Sequence, residues 1–140
     1  MRRAALARAA AALGLAAPAL AGCGGEAHDL FVVQRAGSVP GARLALRVTD
    51  DGRASCNRGA LVDISSDQLI DARELARDLE PLARRRLALA PGPTSVLRYD
   101  VVLEDGRVRF ADTSRGQPRA LFRVARLTRD IARGPCGLAR

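Results

Sequence analysis

The sequence predicts an α+β fold, a small antiparallel sheet of about five strands with two helices packed on one face, in the order βββαββα. Short segments in which apolar and polar residues alternate predict the strands, and Asp-Gly pairs at 51–52 and 105–106 predict hairpin turns. Two longer segments, 65–86 and 118–133, repeat apolar residues at the spacing of an amphipathic helix. One antiparallel sheet with both helices on the same face buries these apolar residues together.

Three short strands are expected at the start of the domain. The first lies in DLFVVQRA, and GSVPG, residues 37–41, forms the loop that follows it. The second alternates apolar with polar or small residues and ends at the first Asp-Gly turn, and its apolar positions are Leu44, Leu46 and Val48. A third strand is expected around residues 54–56.

Both helices have recognisable ends. In the first, Ser65 and Gln68 have capping-box spacing, and acidic residues precede arginines along the segment, as the helix macrodipole favours. Pro81 is expected to kink or end this helix. The second helix is expected to hold Pro118 in its first turn and to stop at the Gly-Pro pair at 134–135.

The clearest hairpin is predicted in VLRYDVVLEDGRVRFAD. A two-residue turn at 105–106 would pair Glu104 with Arg107, Leu103 with Val108 and Val101 with Phe110. The apolar side chains of both strands then share one face of the sheet, and the charge pair lies beside the turn.

Residues 1–22 have the composition of an export signal. Three arginines precede an apolar run that is too short to span a bilayer. The run ends in LAGC, which resembles the lipobox of bacterial lipoproteins. The resemblance implies a diacylglycerol on Cys23 and a lipidated tether at 23–28 that anchors the protein outside the cell at the bacterial membrane. The alternative is a plain signal peptide that happens to carry a cysteine. The length of the remaining chain predicts a single domain at 29–140.

Lipidation of Cys23 would leave Cys56 and Cys136 as an even pair in an oxidising compartment. We therefore expect a disulfide between them. Free thiols or a redox role are the alternatives, although neither cysteine belongs to a Cys-x-x-Cys pair. With one histidine and no clustered ligands, no metal site and no cofactor are expected.

Composition argues against two function classes. The chain has no lysine, and removal of the signal would leave 20 of its 23 arginines against 15 acids, a net charge of +5. An arginine bias of this kind, in an exported chain with few aromatic residues, does not indicate a nucleic-acid partner. An enzyme is not expected either, because the one histidine, His28, lies in the tether and the acidic pairs precede turn glycines.

The order of strands and helices, together with the hairpin and the last helix, resembles the emfourin family of small proteins that inhibit thermolysin-like metalloproteases. The similarity covers roughly residues 30–132 and is carried by the pattern Leu97-x-Tyr99-x-Val101, the Asp105-Gly106 turn, Val108-x-Phe110-x-Asp112 and the helix residues Pro118, Leu121, Val124 and Leu127. The resemblance implies a protein-binding function and a thermolysin-like metalloprotease as partner. It assigns no contact residue.

Two surfaces are candidates for binding. The loop Gly37, Ser38, Val39, Pro40 and Gly41 has a proline that limits its freedom and small residues that let backbone approach a protease cleft. A stripe on the last helix, formed by Arg119, Arg123, Arg126 and Arg133, would suit an anionic membrane or wall surface. The alternative for the loop is a plain hairpin connection without a binding role, and the alternative for the stripe is a solvated helix face. The stripe supports the competing hypothesis of a structural or surface-binding lipoprotein without inhibitory activity.

Overall fold

A computed structural model describes residues 25–139 of the chain, and its fold is α+β as predicted. One antiparallel sheet has six strands in the order β4-β3-β2-β1-β5-β6, and two helices accompany it. The strands are β1 (Asp29–Gly37), β2 (Leu44–Thr49), β3 (Arg53–Cys56), β4 (Val62–Asp63), β5 (Leu97–Leu103) and β6 (Gly106–Ala111). The helices are α1 (Ser66–Arg84) and α2 (Arg119–Arg133). The additional strand is β4, which has two residues and was not predicted.

One face of the sheet carries the core. Alternate residues of β1, β2, β5 and β6 are buried on this face and pack with the apolar sides of α1 and α2 in a single cluster. The largest fully buried side chains include Phe31, Leu46, Leu75, Leu121 and Ile131. Both helices therefore cover the same face, and the other face of the sheet is left open.

The helix ends follow the sequence signals closely. The hydroxyl of Ser65 accepts the backbone N–H of Gln68, whose side chain accepts the N–H of Ser65, so the capping box is formed. Pro81 does not end α1, which continues to Arg84. Pro118 is the N-cap of α2 rather than part of its first turn, and Gly134 ends the helix.

The β5–β6 hairpin has a different register from the predicted one. Leu103 pairs with Gly106, and the turn residues are 104 and 105. Gly106 lies in the strand because α1 packs against it: a Cβ at this position would lie 2.3 Å from the carbonyl oxygen of Ala83. Because the register shift spans two residues, the apolar side chains keep the expected face. Arg107 pairs with Val102 and bonds Asp100 at 3.3 Å instead of facing Glu104.

Cys56 and Cys136 lie at disulfide distance, with their Cα atoms 6.2 Å apart. The pair joins the end of β3 to the segment after α2 and closes a separation of 80 residues. It therefore ties the C-terminal segment to the sheet. Within residues 25–139, no helix combines the length and apolar character needed to cross a bilayer.

Candidate functional site

The loop at 37–41 contains a hydrogen-bonded turn. The N–H of Ala42 donates to the carbonyl of Val39 at 3.1 Å, with Pro40 and Gly41 between them. Gly41 has φ +73°, a conformation that suits glycine, and proline restricts the preceding position. Proline followed by a glycine of positive φ is the signature of a type II turn. The sequence chemistry therefore presets the shape of this loop.

A buried arginine, Arg35, stabilises the same loop through hydrogen bonds to its backbone. Arg35 is 5 % exposed, and its Nε donates to the carbonyl of Ala42 at 2.8 Å. Its Nη2 donates to the carbonyl of Gly41 at 3.1 Å. The buried guanidinium thus satisfies two carbonyls at the loop's end and holds them against the core.

The beginning of the loop is held by its neighbour strand. The N–H of Ser38 donates to the carbonyl of Val96 at 3.2 Å. At Gly37 the two backbones come so close that a Cβ would lie 2.1 Å from the same carbonyl oxygen. Glycine is therefore required at position 37, and the loop is fixed at both ends while Ser38 and Pro40 remain exposed.

Exposed apolar side chains lie at the same end of the sheet as this loop. Val96 is 43 % exposed and lines a depression together with Gly37 and Ser38. Phe122, on α2, is 58 % exposed and lines a second depression that also includes Leu97, the residue after Val96. Val96 therefore adds apolar surface beside the loop, and Phe122 adds an aromatic side chain, a type enriched in protein interfaces, in a separate depression.

The tether and the loop lie at opposite ends of β1. The strand starts at Asp29, directly after the proposed tether, and ends at Gly37. Nine residues of extended strand separate the two ends by about 26 Å. A domain held at residue 29 can therefore present the loop well away from its point of attachment.

The four arginines of the predicted α2 stripe are not all free in solvent. Arg123 turns toward α1, where its guanidinium lies 2.6 Å from Asp71, 2.8 Å from Asp78 and 3.2 Å from Glu74. Arg126 lies 3.7 Å from Asp71. Arg119 and Arg133 are exposed. Arg123 therefore links α2 to α1 through ion pairs, because the acidic side of α1 faces it.

The open face of the sheet carries arginines that the sequence analysis did not select. A depression of about 770 Å³ on this face is lined by Arg43, Arg98 and Arg109, with Asp100 as its one acidic residue. Among residues 25–139, none of the three arginines has a carboxylate within 4 Å, and all three are exposed. Arg98 and Arg109 occupy outward positions of their strands, and Arg43 directly precedes β2. The alternation of apolar and polar residues is the signal that would have identified them.

Asp51, in the first Asp-Gly turn, forms hydrogen bonds with residues on either side of the turn. Asp51 accepts hydrogen bonds from the Thr49 hydroxyl at 2.5 Å and from Arg53 Nε at 2.7 Å, and the pairing with Arg53 lowers the pKa of its carboxyl.

Over the described range 25–139, no three metal-ligating side chains come together. Cys23 and the proposed signal at 1–22 lie outside the described residues.

Comparison of the chain with protein-family models, curated proteins and solved structures finds no match in any of the three.

Proposed function

We propose that this protein is an exported, lipid-anchored binding protein that engages a partner protein through the loop at 37–41. The observation that carries this proposal is the bracing of the loop by buried Arg35 and by the turn at Pro40 and Gly41. Binding with a loop that is already ordered avoids the entropic cost of ordering it. The proposal includes no catalytic activity.

The class of partner follows from the resemblance to emfourin, which implies a thermolysin-like metalloprotease. An inhibitor of this kind needs an exposed, narrow loop that keeps its shape in the cleft of the enzyme. Ser38 and Pro40 are exposed at the loop's surface, and Val96 and Phe122 lie exposed at the same end of the sheet. These apolar side chains would supply the buried contacts that dominate most protein interfaces.

Titration of a thermolysin-like metalloprotease with the purified protein tests the inhibitory function. We expect proteolysis of a peptide substrate to fall to zero at a stoichiometric ratio or at a small excess. Unchanged turnover at large excess would contradict the inhibitory function.

Two arginine substitutions test whether the loop is the contact surface. Ser38→Arg places a long charged side chain on the exposed loop and should weaken inhibition at least tenfold. The matched control, Ile70→Arg, adds the same charge at a position of α1 that is 55 % exposed. Equal inhibition by both variants would place the contact surface elsewhere.

The alternative, a lipoprotein that binds an anionic envelope surface through α2, has less support. It needs the charge of Arg123, which three carboxylates of α1 surround. Only Arg119, Arg126 and Arg133 of the stripe remain exposed.

A further inference from the structure

The open face of the sheet differs in charge between its two halves. At the tether end Arg47 bonds Asp29 at 2.5 Å, and toward the middle of the sheet Arg107 bonds Asp100 at 3.3 Å, so both of these arginines are compensated. Arg43 and Arg98, at the loop end, have no such partners within residues 25–139, and Arg109, which lies opposite Asp100 in the β5–β6 register, has no carboxylate within 4 Å. The uncompensated positive charge therefore extends from the middle of the sheet to the loop end.

The strand register places these arginines around a small residue. Ala36 of β1 pairs with Arg98 of β5. On the other side the β1–β2 register ends with Arg35 opposite Leu44, and one further residue brings Arg43 beside Ala36. With strands about 4.8 Å apart, the Cα atoms of Arg43 and Arg98 lie about 10 Å from each other. Arg109 of β6 pairs with Asp100, two residues along β5 from Arg98. We call this depression, bounded by Arg43, Arg98 and Arg109, the arginine groove.

The floor of the arginine groove is mostly apolar. Ala36 lies between Arg43 and Arg98, and Ala88, Leu89 and Pro91 line the edge of the depression beyond β6, where Ala88 is bridged to Arg109. Its size of about 770 Å³ lies in the range of sites that hold a short peptide or a similar ligand. A phosphate polymer would satisfy the arginines and leave this apolar floor uncovered. An extended peptide with alternating acidic and apolar side chains would contact both.

We propose that the arginine groove binds an extended acidic peptide segment of a partner protein, with carboxylates on Arg43, Arg98 and Arg109 and apolar side chains on the floor around Ala36. Guanidinium groups suit this role because their planar donor geometry matches a carboxylate in two parallel hydrogen bonds. The groove is separate from the α2 stripe, and the proposal does not require that the partner be a protease.

The binding test uses the purified mature protein and a fluorescein-labelled peptide of alternating glutamate and leucine, followed by fluorescence anisotropy. The groove variant combines Arg43→Gln, Arg98→Gln and Arg109→Gln. The control variant combines Arg119→Gln, Arg126→Gln and Arg133→Gln, which removes the same charge from α2. We expect saturable binding that the groove variant weakens at least tenfold and the control variant leaves unchanged.

Three results would overturn the proposal. The first is equal weakening by both variants, which would indicate an effect of net charge alone. The second is a peptide of alternating glutamine and leucine that binds as tightly as the acidic one. The third is no saturable binding of the acidic peptide; if phosphatidylglycerol vesicles then bind and the groove variant abolishes that binding, the groove belongs to a membrane surface instead. Far-ultraviolet circular dichroism of both variants checks that they are folded.

Discussion

At the scale of single residues, Arg35 determines how rigid the candidate loop is. It is buried without a carboxylate partner among residues 25–139 and donates instead to the carbonyls of Gly41 and Ala42. A buried cation is costly unless its donors are satisfied, so its position is explained by the loop that it holds.

Arg35→Met should therefore loosen the loop and destabilise the protein. The substitution keeps an apolar chain of similar length but leaves the carbonyl of Ala42 without its partner, which costs about 1–3 kcal/mol of unfolding free energy. Hydrogen exchange at the Ala42 amide should accelerate, because the turn bond to Val39 loses its support. Arg43→Met is the control, since Arg43 is exposed. Unchanged hydrogen exchange at the Ala42 amide in Arg35→Met would show that the hydrogen bonds of Arg35 are not needed to keep the loop ordered.

Tyr99 gives a pH-dependent prediction. It is the only tyrosine in the chain, and it stacks on Phe110 with the ring centroids 4.8 Å apart. Burial raises the pKa of Tyr99, and the charge of Arg35 opposes this shift. Because the folded protein holds the phenolic proton more tightly, the associated stability is fully present below the unfolded pKa near 10 and is lost as the pH rises through the folded pKa.

Absorbance of the phenolate measures this shift directly. The titration midpoint should lie higher in the folded protein than in urea, and Tyr99→Phe should remove the signal. Identical midpoints in the folded and unfolded protein would contradict the burial argument.

At the scale of secondary-structure elements, the contact between α1 and α2 includes a polar cluster. Arg123 is the centre of this cluster and faces three carboxylates of α1, Asp71, Glu74 and Asp78. Its removal would leave Glu74 and Asp78 close together without a cation, and Asp71 with only Arg126 at 3.7 Å. Such networks of several charges contribute more to the free energy of unfolding than isolated surface ion pairs do.

Arg123→Gln should lower the free energy of unfolding by about 1–2 kcal/mol at low salt. The matched control is Arg119→Gln, because Arg119 lies on the same helix and is exposed. Urea denaturation measures both variants, and the difference between them should shrink in concentrated sodium chloride. Equal stability of the two variants at low salt would indicate that the cluster is not stabilising.

The elements differ in how well local sequence predicts them. The capping box at Ser65 and the stop at Gly134 depend on neighbouring residues, and both were predicted. The hairpin register was wrong because it depends on the contact of Gly106 with Ala83, which lies distant in sequence. The pairing of Arg123 was missed for the same reason: helical spacing shows which residues share a face, but not which acids a second helix brings to it.

At the scale of the whole molecule, the cysteine pair ties the C-terminal segment to the sheet. Replacing Cys56 and Cys136 together by alanine should lower the free energy of unfolding by about 2–5 kcal/mol, because a long closed loop restricts the unfolded chain. The urea midpoint should fall in this variant and equally in the parent protein treated with dithiothreitol. An identical midpoint with and without reductant would contradict this account.

The placement of the whole molecule depends on Cys23. A lipid at that residue would hold the domain by its first strand, with the loop at 37–41 and the arginine groove at the other end of β1. Both surfaces would then be available to proteins outside the cell.

The most direct measurement of this arrangement is the intact mass of the protein purified from the membranes of its native cell. We predict a chain that starts at Cys23 and carries a diacylglycerol, and Cys23→Ser should abolish this species. A chain that retains residues 1–22, or that has an unmodified cysteine at position 23, would contradict the account.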